Sequence, residues 1–305
     1  MGEAALVIGG TGFLGTAIVR ALREAGWQVT SLARGRQANS LADVPLLTAD
    51  RSQPGELAGA IAGHDFDLVV DCAAFQDPHV AEAIETFGGH TGLYVFISTD
   101  FVYAPAPDAR FPVREDAPTQ RDLPYAAGKL ACEAALLRAW EEDRFPSVIL
   151  RPPHIIGAGR ALGCDPLAMR EARLLQEMRG GRELALLAEG QLLIQPVWNR
   201  EIGLCIAHVA AQSGEPQGCG QVFNCAGPDA ITTRRYYEII AAYLGVPLRF
   251  RSVSLDDFVR QSPDKAHMAR HRIYDLRRLR ETTGYMPQLR VEDAIAETAH
   301  WLDRP

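Results

Sequence analysis

The stretch Ala4-Ala5-Leu6-Val7-Ile8-Gly9-Gly10-Thr11-Gly12-Phe13-Leu14-Gly15 sets the frame for the rest of the chain. Ala4–Ile8 is apolar without interruption and reads as a buried strand. Thr11–Ala25 follows as a helix, with Ile18, Val19 and Leu22 on one face. Glycines at 9, 12 and 15 allow a tight turn, let the backbone approach a bulky anion and let the helix pack close to the strand. The helix start offers unpaired N–H groups and the positive end of its dipole. Strand, glycine turn and helix in this order form a cradle for a dinucleotide pyrophosphate, with Gly9, Thr11, Gly12, Phe13, Leu14 and Gly15 as contacts. For the glycines taken alone, a plain tight turn is the bland alternative.

Outward from this stretch the same rhythm repeats. Gln28–Ala33, Leu46–Thr48, Leu68–Cys72, Leu93–Ser98 and Ser147–Leu150 read as strands, with helical patterns near 55–62, 78–89 and 125–142. Continuously apolar strands alternating with helices mean a parallel sheet covered on both faces, an α/β fold of the doubly wound, Rossmann type. After about Gly157 the pattern changes. A helix near 166–180 ends at Gly180-Gly181, and strands follow near Leu184–Leu187 and Leu192–Val197. Arg200–Ala211 reads as a helix, Val222–Cys225 as another strand of the main sheet, and Thr233–Leu244 and Val291–Leu302 as amphipathic helices. The expected division is a dinucleotide-binding domain over 1–160 and a smaller substrate-binding lobe over 161–305, with about 195–227 returning to the main sheet.

Ligands of such folds bind at the carboxyl ends of the strands. After the second strand the chain reads Ala33-Arg34-Gly35-Arg36, with no acid to hold a ribose 2′-hydroxyl. Arg34 can accommodate a 2′-phosphate, which favours NADP(H) and leaves NAD(H) possible; a solvated surface arginine is the alternative. Asp50 ends the third strand where the adenine would lie, and Arg51 beside it joins the cofactor contacts. Ala73 and Ala74, after the fourth strand, are small enough to let a dinucleotide lie against the sheet.

Composition excludes several classes. The chain has 305 residues and a formal net charge of -7, with a pI near 5.7. A nucleic-acid partner is not expected from such a balance. Six cysteines, at 72, 132, 164, 205, 219 and 225, lack C-x-x-C spacing and read as reduced buried thiols of a cytosolic protein. His267 and His271 could share a helical face, but the Glu of H-E-x-x-H is missing, so no metal site is expected. No basic leader with a cleavage site and no apolar run of ~18 residues is present, which points to a cytoplasmic protein with no membrane partner.

Tyr125-Ala-Ala-Gly-Lys129 places a phenol and an ammonium at i,i+4 on one helix face, just after Pro124. A tyrosine ordinarily titrates near ~10, so acting as a base at neutral pH needs a shift of up to ~3 units, about 4 kcal/mol. A nearby ammonium and a positive nicotinamide ring both push that way. Alone, the pair is also compatible with a surface Tyr–Lys pair.

Four motifs taken together point further: Gly9-x-x-Gly12-x-x-Gly15, Ile97-Ser98-Thr99-Asp100-Phe101-Val102-Tyr103, Tyr125…Lys129, and Leu150-Arg151-Pro152-Pro153. In this order and spacing they resemble the extended short-chain dehydrogenase/reductases, the NAD(P)-dependent epimerase/dehydratase group. The resemblance implies that Thr99 hydrogen-bonds the substrate hydroxyl or carbonyl, that Tyr125 is the acid/base, and that Lys129 binds the nicotinamide ribose and lowers the Tyr125 pKa. It places Pro152 and Pro153 at the nicotinamide end, and Phe75, Asp100, Phe101, His154 and Gln195 at the substrate. For His154, a hydrogen-bonded supporting histidine is an equal alternative. Homodimers of the group form through two helices, here Pro78–Phe87 and Tyr125–Trp140.

The chain departs from the group's pattern in two places. Phe101 stands where dehydratases carry an acid after Thr-Asp, which demotes dehydration; an aromatic there is closer to the dTDP-4-dehydrorhamnose reductase group. Ile194 stands where many epimerases carry an arginine that clamps the substrate diphosphate. Either another arginine, such as Arg270 or Arg272, supplies that charge, or the substrate is not a nucleotide sugar. Leu193–Glu201 with Gly180-Gly181-Arg182-Glu183 also looks like a chloroplast-type RNA-binding branch, whose members often lack the Tyr/Lys pair kept here. The first expectation is an epimerase acting on a sugar or sugar-nucleotide-like substrate by transient oxidation. The alternative is an NADPH-dependent ketoreductase, and the third reading is a non-catalytic dinucleotide- or RNA-binding protein.

Overall fold

Seven parallel strands form the central sheet of the computed structural model, which describes residues 3–36, 41–105, 110–212 and 217–304. The first six are β1 (Ala4–Ile8), β2 (Gln28–Ala33), β3 (Leu46–Thr48), β4 (Leu68–Asp71), β5 (Leu93–Ile97) and β6 (Ser147–Arg151). Between them lie α1 (Phe13–Glu24), α2 (Glu56–Ile61), α3 (Asp77–Phe87) and α4 (Pro124–Asp143). The later chain adds short strands β7 (Ile155–Ile156), β8 (Cys164–Asp165), β9 (Ala168–Met169), β10 (Leu184–Leu187), β11 (Leu193–Ile194) and β12 (Val197–Trp198). It then adds β13 (Gln221–Asn224), β14 (Ile231–Thr232) and β15 (Phe250–Val253). Its helices are α5 (Leu174–Arg179), α6 (Asn199–Ala210), α7 (Thr233–Leu244), α8 (Leu255–Gln261), α9 (Arg277–Thr283) and α10 (Val291–Leu302).

The sheet runs β3-β2-β1-β4-β5-β6-β13, every pair parallel. The expected doubly wound architecture is thus present, and the strand order reverses between β1 and β4, where such sheets open a crevice. Helices cover both faces. Ile18, Val19 and Leu22 of α1 pack with Ile202, Cys205 and Ile206 of α6 on one side. Leu57, Val80, Ala83, Phe87, Cys132 and Leu136 cover the other. Burying side chains of this size stabilises by roughly 1.5–3 kcal/mol each. A Cβ on Gly203 would stand 2.6 Å from that of Ala21, so a glycine is what lets α6 dock closely on α1. A third apolar cluster joins α5, β10, α7 and α10 through Leu174, Leu186, Tyr236, Ile240 and Ile295. Among the described residues, no helix is long and apolar enough to cross a membrane.

Several elements differ from expectation. Instead of a helix from about 166, the chain makes the β8–β9 hairpin, with Cys164 opposite Met169, and only Leu174–Arg179 is helical. Pro166 cannot donate to a helix ladder, and Asp165 Oδ1 accepts the Leu167 N–H at 3.0 Å, closing the turn. The single strand expected over Leu192–Val197 is two, because Pro196 interrupts it. β11 pairs antiparallel with β14, and β12 pairs parallel with β7. His267 and His271 do not share a helix face: the short 3-10 turn ends at Met268, and His271 Nδ1 accepts the Leu193 N–H at 3.0 Å. No group of three metal-ligating side chains comes together among the described residues.

Candidate active site

Two cavities open at the carboxyl ends of the strands and merge at Gly9, Gly12, Cys72 and Phe75. The first, a groove of about 590 Å³, runs past Thr11, Ala33, Arg34, Asp50, Arg51 and Ala73. The second, a cleft of about 570 Å³, holds Phe13, Leu14, Gly15, Thr99, Asp100, Phe101, Tyr125, Lys129, Pro152, Pro153 and His154. Most residues singled out in the sequence therefore line one continuous channel.

The glycine loop is shaped by backbone contact. Gly9 has φ +83°, in the left-handed region, and its carbonyl accepts the Gly12 N–H at 3.0 Å. A Cβ on Gly15 would lie 2.1 Å from that carbonyl oxygen. Gly12 precedes α1 without a side-chain cap, and no acid stands in the first helical turn. The first N–H groups of α1 thus face the channel, a setting that suits a pyrophosphate.

Two groove expectations meet contacts that the sequence did not show. Arg51 lines the groove but is largely buried, with its guanidinium paired to Asp71 and donating to the His79 carbonyl, so its charge is balanced inside the fold. Asp71 also accepts from the Tyr94 hydroxyl at 2.5 Å and from the Ala73 and Ala74 N–H groups at 2.8 and 2.9 Å. Burial pushes the Asp71 pKa up, but the Arg51 charge and these bonds outweigh it and hold it below the usual range. Ala73 lines the groove; Ala74 is wholly buried behind it, its carbonyl taken by Lys129. Arg36 reaches Asp50 at 3.4 Å. Arg34 has no ion-pair partner among the described residues and is exposed on the groove.

In the cleft, Thr99 follows β5, and Tyr125 begins α4. Both line the cleft, and the Thr99 side chain lies close enough to the Tyr125 phenol to act on its titration. The phenol sits among aromatic rings, with Phe75 at 6.3 Å and Phe101 edge-on at 6.4 Å between centroids. A Cβ on Gly128 would stand 2.2 Å from the Phe75 carbonyl oxygen, so the glycine within Tyr125–Lys129 lets α4 lie against that loop. Partial burial raises the Tyr125 pKa, with the Asp100 charge in the same direction; the Thr99 side chain and the Arg160 charge oppose it. The expected downward push from Lys129 is absent here. The Lys129 ammonium turns inward to the carbonyls of Ala74 and Ile97, each at 2.7 Å, and lies 4.7 Å from the Phe75 and Phe96 ring centroids. Burial lowers its own pKa to about 8.

A buried clamp fixes this geometry. Arg151 of β6 holds Glu133 of α4 through Nε at 2.9 Å and Nη2 at 2.6 Å, and Glu133 accepts from Ser98 at 2.5 Å. α4 and the Ser98-Thr99 turn are thereby tied to one ion pair. Sequence reasoning missed Glu133, because a lone glutamate at mid-helix carries no pattern. Gln195 proves to lie outside the cleft: its amide donates to the Gly227 carbonyl and accepts the Tyr274 N–H, both at 2.8 Å. Asp100 faces the cleft while accepting from the Tyr274 hydroxyl at 2.6 Å. Ile194 is buried in the apolar cluster of α7 and α10. Arg160 and Arg170, which no motif flagged, also line the cleft, and Arg272 joins them.

Comparison with known proteins agrees with this geometry. The model of the NAD dependent epimerase/dehydratase family matches residues 5–88 and 78–226, and the chain belongs to that family. It is 28% identical to a UDP-glucose 4-epimerase of Azospirillum brasilense, over 96% of this chain and 90% of the relative. It is 26% identical to a dTDP-6-deoxy-L-talose 4-dehydrogenase (NAD(P)(+)) of Kitasatospora kifunensis, over 95% of this chain and 93% of the relative. Its fold is similar to the structure of a UDP-glucose 4-epimerase with UDP-glucose from Thermotoga maritima, with TM-score 0.78, 17% identity and 98% of each chain covered.

Proposed function

We propose that this protein is an NAD(P)-dependent epimerase of a sugar-like hydroxy compound, with Tyr125 as its proton-transfer group. The observation that carries the reading is that Thr99 and Tyr125 line the cleft together, beside Phe75, where the dinucleotide groove opens into it. Gly9, Gly12, Gly15 and the start of α1 would hold the pyrophosphate, Arg34 a 2′-phosphate, and Lys129 the nicotinamide ribose. Arg34 favours NADP(H) over NAD(H). The dinucleotide, when bound, supplies reversible two-electron oxidation at the substrate carbon.

Thr99 orients the reacting hydroxyl, and Tyr125 takes its proton as the carbonyl forms. The same phenol returns the proton when the alcohol re-forms on the opposite face. Phe75 and Phe101 place aromatic rings beside the phenol. α3 and α4 pack side by side and are the surface through which we propose a homodimer; light scattering that finds only monomer at high concentration would remove that assembly.

Ketoreduction is the second reading, and one observation favours it. A phenol whose pKa is raised by burial stays protonated, which suits delivery of a proton to a carbonyl oxygen. Denaturing the purified protein and assaying released dinucleotide separates the two. Near-stoichiometric oxidised cofactor supports the epimerase. A protein that is empty and binds NADPH more tightly than NADH supports the reductase.

A further inference from the structure

Three arginines line the cleft. Arg170 follows the β8–β9 hairpin. Arg272 lies in the segment that bridges Ile194 of β11. Arg160 rests 5.7 Å from the Phe13 ring centroid. None of the three is within ion-pair distance of a carboxylate among the described residues. Among the described residues Asp100 is the one acid lining the cleft, and its Oδ2 is occupied by the Tyr274 hydroxyl. Asp165 feels the Arg272 charge, but its oxygens accept from the Leu167 and Leu187 N–H groups and the Thr233 hydroxyl.

The hydrogen-bond inventory sharpens this. Arg272 is only 9% exposed; its Nη2 donates to the Cys164 carbonyl at 3.4 Å, and its Nε is buried with no acceptor among the described residues. Arg170 Nη2 donates to the Ile155 carbonyl and meets His154 Nδ1 at 3.3 Å. Since arginine can only donate, His154 Nδ1 is the acceptor and its proton sits on Nε2, which is also buried without a partner. Burial and the charges of Arg170, Arg272 and Arg160 keep His154 neutral, well below its ordinary pKa. One wall of the cleft therefore gathers like charges with no carboxylate among the described residues to balance them, an arrangement that is costly when left unanswered. An acceptor-only group with negative charge, seated in the cleft, balances those charges.

We propose that Arg170, Arg272 and His154 form an anion subsite beside Tyr125, and that the substrate is a sugar-like hydroxy compound bearing a carboxylate or phosphate on the skeleton that reacts. The proposal rests on the reading of this cleft as the reaction site. Proximity supports it: the Arg160 charge acts on both the Tyr125 phenol and His154. The cleft, about 570 Å³, lies within the range of ~300–1,000 Å³ that one small ligand fills, and it also takes the nicotinamide end of the dinucleotide.

Calorimetric titration of the cofactor-loaded full-length protein tests this, with glucuronate, galacturonate, glucose 6-phosphate, glucose and UDP-glucose as probes. At least one of the three small anions should bind about tenfold or more tightly than glucose, since charge-assisted hydrogen bonds are at stake. A uronate in that role assigns a carboxylate, and the sugar phosphate assigns a phosphate. Arg170→Gln and Arg272→Gln should each erase the preference while leaving the dinucleotide Kd within about twofold, as the donors lost serve the anion. Glucose binding as well as every small anion, or UDP-glucose alone binding, overturns the proposal. So does a loss of dinucleotide affinity in both variants. The wild-type comparison stands even if a variant fails to fold. An anion preference in a protein without turnover of any alcohol or ketone would retain the subsite and sink the catalytic reading.

Discussion

The Lys129 ammonium donates to the Ile97 carbonyl at 2.7 Å, inside a pocket walled by the rings of Phe75 and Phe96. With the Ala74 carbonyl taking a second proton, one N–H remains for a ligand. Burial lowers the Lys129 pKa to about 8, so the cation is complete below neutral pH and lost as pH rises through 8. Dinucleotide affinity should weaken across that interval in the wild type and stay flat in Lys129→Met. Stability moves the other way. The unfolded lysine titrates near 10.5, so between about 8 and 10.5 the unfolded chain binds more protons and this residue makes stability rise with pH. An affinity that does not change between pH 7 and 9 would refute the contact.

Replacing Tyr125 by Phe keeps the ring between Phe75 and Phe101 and removes only the hydroxyl. Turnover should fall by roughly 10²–10⁴-fold with dinucleotide binding intact, the scale of a lost general acid/base. Thr99→Val, which removes the neighbouring hydroxyl, should fall in the same direction by less. Tyr125→Phe retaining full rate in a steady-state assay ends the assignment.

Two glycines should separate binding from catalysis. A Cβ on Gly15 meets the Gly9 carbonyl at 2.1 Å, and one on Gly128 meets the Phe75 carbonyl at 2.2 Å. Gly15→Ala distorts the loop that faces the pyrophosphate and should weaken dinucleotide binding about tenfold or more. Gly128→Ala pushes α4 off the Phe75 loop and should lower turnover more than affinity. Equal effects on both quantities in both variants would contradict the division.

Asp71 is wholly buried against Arg51 and Tyr94. Asp71→Asn leaves the Arg51 charge inside the fold without its counter-ion, and urea unfolding should show a loss of about 3–5 kcal/mol. Because the folded Asp71 pKa lies below its ordinary value, its contribution is present above the unfolded pKa and disappears as pH falls through the folded one. A loss under 1 kcal/mol would mean that the pair is solvated in solution.

Arg34 stands exposed on the groove and Arg36 reaches Asp50 at 3.4 Å. Arg34→Ala should shift the ratio of NADP to NAD affinity toward NAD by about tenfold, the scale of one lost charge-assisted contact to phosphate. An unchanged ratio removes the 2′-phosphate role.

How legible all this was in the sequence depended on the range of the determining contacts. β1 to β6 could be read because buried parallel strands are continuously apolar and helices between them repeat every third or fourth residue. The channel followed from strand ends, a local property. Gln195 was misplaced, and the buried pairing of Arg51 was missed, because their partners, Tyr274, Gly227 and Asp71, are remote in sequence, and only folding decides which polar side chains bond their own chain. The hairpin at 164–169 hid behind helix-forming residues while Pro166 and Asp165 set the turn. Arg160 and Arg170 became conspicuous only once the structure showed that no carboxylate answers them.

β13 lies at the edge of the sheet, in register with β6 through Val222 opposite Ile149, yet the chain reaches it only after β7–β12 and two helices. A protein cut after residue 160 would bare the β6 edge, a template for pairing with another chain. Grafting a foreign C-terminal half would carry a replacement edge strand along with the arginine wall. Altered specificity and altered solubility would then arrive together in such chimeras, unless the 221–224 segment is kept from the recipient.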